Sequence, residues 1–414
     1  KYRNLQLAAF LKAQGVNPEQ VSMADTALFT QLDKLAGSLK PAQWQAYLRF
    51  QVGNTMAPYL GKPWRDADHA FRGRLLRGED EPAPRWRQVL DAINASAGAM
   101  VAHEYVARHL PDANRERADT IAHGVKDALG SAIERNTWMD AQTKVEARSK
   151  LDRLKIQIGK PGSDFDFSAQ PMGRGSFGGN ILIASTWHHR EEMKRIGRAN
   201  AERRWDVLPQ YPALSYDLAH NRLFVTAAVL QPPVLDMGQP LAAQYGSFGA
   251  MVGHELTRAV DNKGRRIDAA GSLRDWWSPT TAAAWDARIA PLAGVYSSFA
   301  YPGNATLKVD GARTHKENAS DLSGLELAWS AFEKAEQQAT AANQQPFFRG
   351  WARLWAQHLS PQAAGTHAAF SPYPPGQWRA NAPAMQLPVF GKAFACKTGN
   401  AMLVPEAQQL SIWR

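Results

Sequence analysis

Apolar residues recur at helical spacing through the first 160 positions of the chain. One stripe consists of Ile121, Val125, Leu129 and Ile133, with steps of four residues. Side chains three or four positions apart lie on one face of an α-helix, so such stripes predict amphipathic helices. We therefore expect residues 1–160 to be nearly all helical.

The pattern changes near residues 158–162, where the sequence Ile-Gly-Lys-Pro-Gly predicts a loop and a domain boundary. Beyond it, we expect short strands around 180–186 and 222–228. Helices are expected from Phe248 to Asp261 and from Asn318 to Gln337. The predicted fold class is mainly α with a small β component, and the predicted domains are 1–160 and 161–414.

Composition excludes several classes of protein. The 414 residues are 44% hydrophobic and contain no apolar run long enough to cross a membrane, so no transmembrane segment is expected in this chain. The single cysteine, Cys396, excludes an internal disulfide and a multi-cysteine metal site. The net charge of +10 permits an anionic partner. However, no recognition motif accompanies that charge, and basic residues alternate with acidic ones, so we expect no nucleic-acid binding.

One segment comes close to a zinc-binding motif. Val252–Arg258 reads Val-Gly-His-Glu-Leu-Thr-Arg, one residue short of the pattern H-E-x-x-H. In that pattern, two histidines four residues apart bind one metal ion from one helical face, and the glutamate between them activates the metal-bound water. Here His254 and Glu255 are present, but Arg258 occupies the position of the second histidine. A His-Glu pair alone carries little information.

A second pair of residues strengthens the comparison. Glu317 follows Glu255 by 62 positions and is itself followed four positions later by Asp321, on a predicted helix. That spacing places both carboxylates on one helical face. A glutamate from a second helix is the usual third ligand in this class of zinc site, and an aspartate one turn later can orient a ligating histidine.

With these motifs, the chain resembles the neprilysin-type (M13) zinc metallopeptidases, which include neprilysin, the endothelin-converting enzymes and bacterial PepO-like peptidases. The matching residues follow one order through most of the chain. They are Arg85-Trp86; Trp138-Met139-Asp140 with Thr143, Ala147 and Lys150; Trp205; Pro209-Gln210; Leu230-Gln231-Pro232-Pro233; Gly253-His254-Glu255-Leu256-Thr257; Asp261; Gly264; Asp275-Trp276-Trp277; Glu317-Asn318; Asp321; Gly324-Leu325; Trp378-Arg379; Ala393-Phe394; Cys396; and Ile412-Trp413.

The resemblance implies a two-lobed, neprilysin-like fold with a thermolysin-like catalytic lobe. Residues 1–160 then correspond to part of a helical lobe, and residues 161–414 to the peptidase-like lobe. Full members of the family carry a further stretch before the position of Lys1. The N-terminal part of the family fold is therefore expected to be removed, supplied by another polypeptide, or truncated. The resemblance also implies an extracytoplasmic location, which is periplasmic, secreted or membrane-associated.

The resemblance also assigns roles to individual residues. His254 and Glu317 correspond to two zinc ligands, Glu255 to the general base, and Arg379 to an arginine that binds a substrate carbonyl. Asp261 and Asp321 correspond to acids that orient the ligands.

Three positions depart from the family pattern. Arg258 stands at the second zinc histidine and has no lone pair to offer a metal. Tyr373 stands at the histidine that stabilises the oxyanion, and Ala213 stands at the asparagine that holds the substrate backbone. We therefore expect a pseudopeptidase without a metal cofactor, acting in binding, scaffolding or complex assembly. Its partner is expected to be a protein or peptide, such as a chain that supplies the N-terminal region.

The alternative is an active zinc endopeptidase in which His315, His367 or Asp321 replaces the lost ligand. Under the pseudopeptidase hypothesis, Arg258 lies one helical turn after His254 and supplies the positive charge that zinc would provide. An ion pair of Arg258 with Glu317 or with Glu255 is therefore predicted.

Three tryptophans are predicted to lie in the core because indole rings bury a large apolar area. They are Trp276, Trp277 and Trp413.

Overall fold

The computed structural model describes residues 1–21, 23, 25–161, 170–196, 205–336 and 341–414. The chain divides into two compact units. Unit 1 comprises Lys1–Glu104 and Gly162–Asp206, and unit 2 comprises Tyr105–Pro161 and Val207–Arg414. The boundary expected near residue 160 coincides with the point where the chain passes from unit 2 to unit 1. The complete division into 1–160 and 161–414 stays a prediction.

Unit 1 is built from helices. Its elements are α1 (Leu7–Ala13), α2 (Thr26–Ser38), α3 (Pro41–Met56), α4 (Lys62–Asp68), a π-helical segment (His69–Leu75), α5 (Arg85–His109, up to Glu104 in this unit) and α8 (Phe177–Met193). Proline at the start of α3 and near the start of α4 suits the first turn of a helix, where no backbone N–H is needed.

Unit 2 combines helices with short strands. Its helices are α6 (Asp112–Arg135), α7 (Ala141–Asp152), α9 (Leu241–Gln244), α10 (Ala250–Thr257), α11 (Pro279–Ser297), α12 (Gly311–Ala335), α13 (Ala341–Leu354), α14 (Pro361–Phe370), α15 (Gly376–Met385) and α16 (Pro388–Ala393). Its strands are β1 (Lys155–Gly159), β2 (Leu214–Asp217), β3 (Arg222–Thr226), β4 (Ala300–Tyr301) and β5 (Asn304–Lys308). The prediction of a mainly α fold with a small β component is confirmed.

The described strands of unit 2 form two small sheets. In the larger one, β3 lies between β1 and β2, parallel to β1 and antiparallel to β2. The strand predicted around 222–228 is therefore confirmed as β3, and all five of its residues are buried. The strands β4 and β5 form a separate antiparallel pair.

Two local predictions are wrong. The strand expected at 180–186 is part of helix α8, because the Ser176 side chain accepts a hydrogen bond from the Gly179 N–H and caps the first turn. The preference of Ile181–Ile183 for a strand is weak on its own, so the helix cap outweighs it. The loop expected at 158–162 begins later, since Ile158 and Gly159 still pair with β3.

The core of unit 2 follows the predicted helical stripe. All four residues of the stripe on α6 are fully or almost fully buried, and α6 packs against α10 and α12. The predicted burial of Trp276, Trp277 and Trp413 is also confirmed. Trp277 and Trp413 both pack against the ring of Trp138, with centroids 6.0 and 5.9 Å away.

Within the described ranges, no helix has the length and apolarity needed to cross a bilayer.

A pair of matched substitutions tests this core. Val125 on α6 is 0% exposed, whereas Val145 on α7 is 70% exposed. Val125→Ala should lower the free energy of unfolding by about 2 kcal/mol because it removes buried methyl groups and leaves a cavity. Val145→Ala, which makes the same chemical change on a helix, should stay within about 0.5 kcal/mol of the parent chain. Equal effects of the two substitutions in urea unfolding would contradict the described packing.

Candidate functional site

The site depends on a close crossing of α10 and α12. A Cβ atom added to Gly253 would lie 2.8 Å from the Gly324 carbonyl oxygen, and one added to Gly324 would lie 2.6 Å from the His254 backbone nitrogen. Both distances are too short for a real Cβ atom, so each position requires glycine. The crossing places His254 beside the face of α12 that carries Glu317 and Asp321.

Asp321 connects His254 with Arg379. Its Oδ1 atom lies 2.7 Å from His254 Nδ1, and its carboxylate accepts two hydrogen bonds from the Arg379 guanidinium, at 2.8 and 2.7 Å. Burial alone would raise the pKa of Asp321, but the charge and hydrogen bonds of Arg379, together with His254, lower it to about 2. The ionised carboxylate accepts a hydrogen bond from His254 Nδ1, while Nε2 faces Arg258, which can only donate.

Arg258 lies at the centre of the site. Its Nη2 atom is 2.6 Å from Glu317 Oε2 and 3.0 Å from His254 Nε2, and its Nε atom is 3.2 Å from Glu255 Oε2. The predicted ion pair is therefore confirmed, with both carboxylates as partners. The side chains of Arg258 and Glu317 are only 14% and 8% exposed. Although burial lowers the pKa of Arg258, Glu255 and Glu317 raise it above its ordinary value, so the guanidinium stays charged.

Each of the two glutamates has a further partner. Glu255 accepts a hydrogen bond from the Tyr216 backbone N–H of β2 at 2.9 Å. Glu317 lies 3.1 Å from the Lys263 ammonium group. Burial alone would raise the pKa of Glu317, but Arg258 and Lys263 outweigh it and lower that pKa. Both carboxylates are therefore occupied by donors within the chain. Lys263 and the Tyr216 N–H were not predicted as site groups, because no spacing in the sequence marks them.

Tyr373 and Arg379 close one side of the site. The Tyr373 hydroxyl lies 3.1 Å from Arg258 Nη2, and burial raises the pKa of this tyrosine. The Arg379 guanidinium lies between two aromatic rings, 4.3 Å from the centroid of Tyr373 and 3.6 Å from that of Trp355. The edge of the guanidinium formed by Nε and Nη2 donates to Asp321, so this edge of Arg379 serves as the partner of that carboxylate.

The remaining predicted residues lie outside this cluster. Ala213 precedes β2; its N–H donates to the Thr226 hydroxyl at 2.8 Å, and its carbonyl oxygen accepts from the Thr226 backbone N–H at 2.9 Å. Asp261 accepts hydrogen bonds from the backbone N–H groups of Lys263 and Gly264, and so fixes the turn after α10. Burial raises the pKa of Asp261, against the effect of those hydrogen bonds.

The two histidines considered as substitute ligands contact other groups. His315 lies 2.7 Å from the carbonyl oxygen of Ala312, one turn earlier on its own helix. His367 lies 2.9 Å from the Tyr301 hydroxyl, and burial lowers its pKa.

The residues present do not fit the zinc ion that the motif implies. His254 Nε2 and Glu317 Oε2 lie 3.8 Å apart and could face one metal ion. However, Arg258 Nη2 lies within hydrogen-bond distance of both atoms, and a guanidinium has no lone pair for a metal. Catalytic zinc sites need three protein ligands. Among the described residues, no group of three or more His, Cys, Asp or Glu side chains could hold a metal ion.

A cavity of about 440 Å³ opens beside Arg258. It is lined by residues of β2, of the loop after α10 and of the segment before α15, and by the side chains that pair with Arg258. The lining residues are Ser215, Tyr216, Leu218, Glu255, Arg258, Lys263, Glu317, Pro372 and Tyr373. At the wall of this cavity, Arg258 pairs with Glu255 and with Glu317, and Lys263 also pairs with Glu317.

Comparison with solved structures gives the same fold. The zinc metalloprotease Zmp1 of Mycobacterium tuberculosis, solved with an inhibitor, matches with a TM-score of 0.84 and 27% identity over 93% of this chain and 60% of its own. PepO from Lactobacillus rhamnosis matches with a TM-score of 0.86 and 24% identity over 100% of this chain and 66% of its own. The second likeness concerns the fold alone.

Comparison with known sequences identifies the family. An endothelin-converting enzyme homolog of Locusta migratoria is 26% identical over 86% of this chain and 51% of its own length. Endothelin-converting enzyme-like 1 of Mus musculus is 26% identical over 95% and 52%. The chain thus spans about half the length of these relatives. Models of peptidase family M13 match residues 1–161 and 215–410. Together with the neprilysin-like fold, these matches show that the chain belongs to peptidase family M13.

Proposed function

We propose that this chain is a catalytically degenerate M13 homologue, a pseudopeptidase that acts in binding, scaffolding or complex assembly. One observation carries the proposal. Arg258 Nη2 lies 3.0 Å from His254 Nε2 and 2.6 Å from Glu317 Oε2, at the point where both side chains would direct their lone pairs toward a metal ion. The permanently charged guanidinium of Arg258 therefore takes the place of a zinc ion.

The surroundings of Arg258 support the same proposal. Glu255 Oε2 accepts a hydrogen bond from the Tyr216 N–H and faces Arg258 Nε at 3.2 Å, so this oxygen is directed at groups of the chain itself. Tyr373 stands where the family has a histidine, and its hydroxyl contacts Arg258. Its phenol remains neutral because burial raises its pKa, so it provides no positive charge for an oxyanion.

We propose a polypeptide partner for this chain. Support comes from unit 1, where α2 contains no buried residue. Leu28, Leu32 and Leu35 form a stripe along α2 and are 49%, 39% and 46% exposed. A stripe of this spacing suits the face of another helix, and exposed apolar patches on soluble proteins mark interaction sites.

We also propose an extracytoplasmic location, on the basis of the family alone.

Zinc analysis of the purified chain and of one variant tests the lost metal site. We expect substoichiometric zinc and no chelator-sensitive peptide cleavage in the parent chain. Arg258→His restores two histidines four residues apart, so it should raise bound zinc toward one ion per chain. Cleavage should remain far below that of an active relative, because Tyr373 and Ala213 are unchanged. Elemental analysis and a fluorogenic peptide assay measure both quantities.

Arg258→Gln is the matched control, since it removes the guanidinium without adding a metal ligand. This variant should bind no more zinc than the parent chain. One result would overturn the proposal: stoichiometric zinc in the parent chain together with peptide cleavage that a chelator abolishes. That result would instead support an active endopeptidase with a substitute ligand.

Removal of Arg258 should also destabilise the fold. Arg258→Ala leaves Glu255 and Glu317 close together and poorly hydrated, which costs roughly 3–5 kcal/mol for a buried pair. Arg115 provides the control, because its ion pair with Asp112 is solvated, with side-chain exposures of 54% and 83%. Arg115→Ala should cost less than about 1 kcal/mol. If both variants unfold at the same urea concentration, the Arg258 ion pairs contribute little to stability.

The partner surface can be tested by crosslinking in the source cells. Leu28→Glu with Leu32→Glu places two charges on the exposed stripe of α2, so the crosslinked complex should be lost while the thermal melting temperature is unchanged. The control, Thr30→Glu with Lys34→Glu, changes other faces of the same helix and should preserve the complex. A complex that survives the leucine changes would exclude α2 as the contact.

A further inference from the structure

A second cavity, of about 590 Å³, lies in unit 2 and is separate from the one beside Arg258. Its walls come from α6, α12, α16, one residue of α13 and the last two residues of the chain. Among the described residues, none lines both cavities. Its volume falls within the range of about 300–1,000 Å³ that is typical of small-molecule sites. We call it the α6–α12 cavity.

The walls of this cavity are mostly apolar and belong to the core. Trp329, Leu387 and Trp413 line it, and each of these side chains is buried. Ala128 and Ala132, one turn apart on α6, leave space where larger residues would fill the gap. Because core residues form these walls, the cavity is preformed and needs no rearrangement before an apolar group enters.

Positive charges outnumber negative ones around the cavity. Arg135, Lys392 and Arg414 line it, against Glu326 and Glu333. In the part of the chain that the structure describes, neither Arg135 nor Lys392 forms an ion pair or a side-chain hydrogen bond, and both are exposed. Their donors are therefore available to an anionic group that enters the cavity.

Glu326 adds a buried polar atom without a partner. Its Oε2 atom accepts hydrogen bonds from the backbone N–H groups of Ile412 and Trp413, at 3.1 and 3.3 Å. Its Oε1 atom is buried and, in the described structure, has no hydrogen-bond partner. Arg414 Nε lies 3.9 Å from this oxygen. Burial raises the pKa of Glu326, against the effect of the Ser411 side chain, the two backbone N–H groups and Arg414.

We propose that the α6–α12 cavity binds an amphipathic carboxylate, an acyl or aromatic acid. Its apolar body packs against the rings of Trp329 and Trp413 and against Leu387, and its carboxylate pairs with Arg135 and Lys392. The apolar walls disfavour a highly charged ligand such as a nucleotide. The excess of cations disfavours an amine. The proposal is independent of the state of the site at Arg258.

Calorimetric titration with three ten-carbon amphiphiles tests the proposal. Decanoate, decanol and decyltrimethylammonium share the apolar chain and differ in head-group charge, and each is used below its micelle concentration. Decanoate should bind with one molecule per chain, at least tenfold more tightly than the other two. Arg135→Gln with Lys392→Gln should weaken decanoate binding at least tenfold and leave decanol unaffected, because only the carboxylate loses its partners.

Two further variants complete the test. Lys308→Gln removes an exposed positive charge on β5 and should leave decanoate affinity unchanged. Ala132→Leu fills the cavity and should abolish binding of decanoate, while the thermal melting temperature verifies the fold. Should Ala132→Leu fail to fold, the exposed Arg135 and Lys392 changes still decide the question. Equal affinity for all three amphiphiles, several molecules per chain, or an unaffected double variant would each overturn the proposal.

Discussion

The contact between Gly253 and Gly324 is the constraint on which the rest of the site depends. With side chains at these positions, α10 and α12 would be forced apart, because either Cβ atom would overlap the backbone of the other helix. The close crossing brings His254 within hydrogen-bond distance of Asp321 and places Glu317 near the end of α10. The close approach of the two backbones therefore brings the side chains of α10 and α12 together, and the charge interactions orient them.

That crossing creates an electrostatic requirement. Glu255 and Glu317 approach the same point in a largely dehydrated region, and two such carboxylates are unstable without a cation between them. An active member of the family meets this requirement with a metal ion, whereas this chain meets it with Arg258. In the function that we propose, Arg258 supplies one positive charge where a zinc ion would supply two, and Lys263 adds a second cation beside Glu317. This explains how the architecture of a peptidase can persist without its cofactor in the function that we propose.

Local periodicity predicted features that depend on one element at a time, namely the stripe on α6 and the strand β3. The ion pair of Arg258 with Glu317 joins α10 to α12, and its prediction rested on the resemblance to the zinc peptidases. The failure at α8 arose because the cap at Ser176 competes with the strand preference of Ile181–Ile183. The contact of Lys263 with Glu317 depends on the path of a loop, which no local pattern encodes. The roles assigned to Arg379 and Ala213 remain predictions.

The depth of Arg258 also determines how the site responds to dissolved salt. Mobile ions screen exposed charges over about 8 Å at physiological ionic strength, but they screen buried pairs much less. The pairing of Arg258 with Glu317 should thus persist in concentrated salt, since both side chains are largely buried. Lys263, which is 54% exposed, reaches the same carboxylate from the solvent side, where ions can compete. The site therefore consists of a salt-resistant centre with a salt-sensitive edge at Lys263.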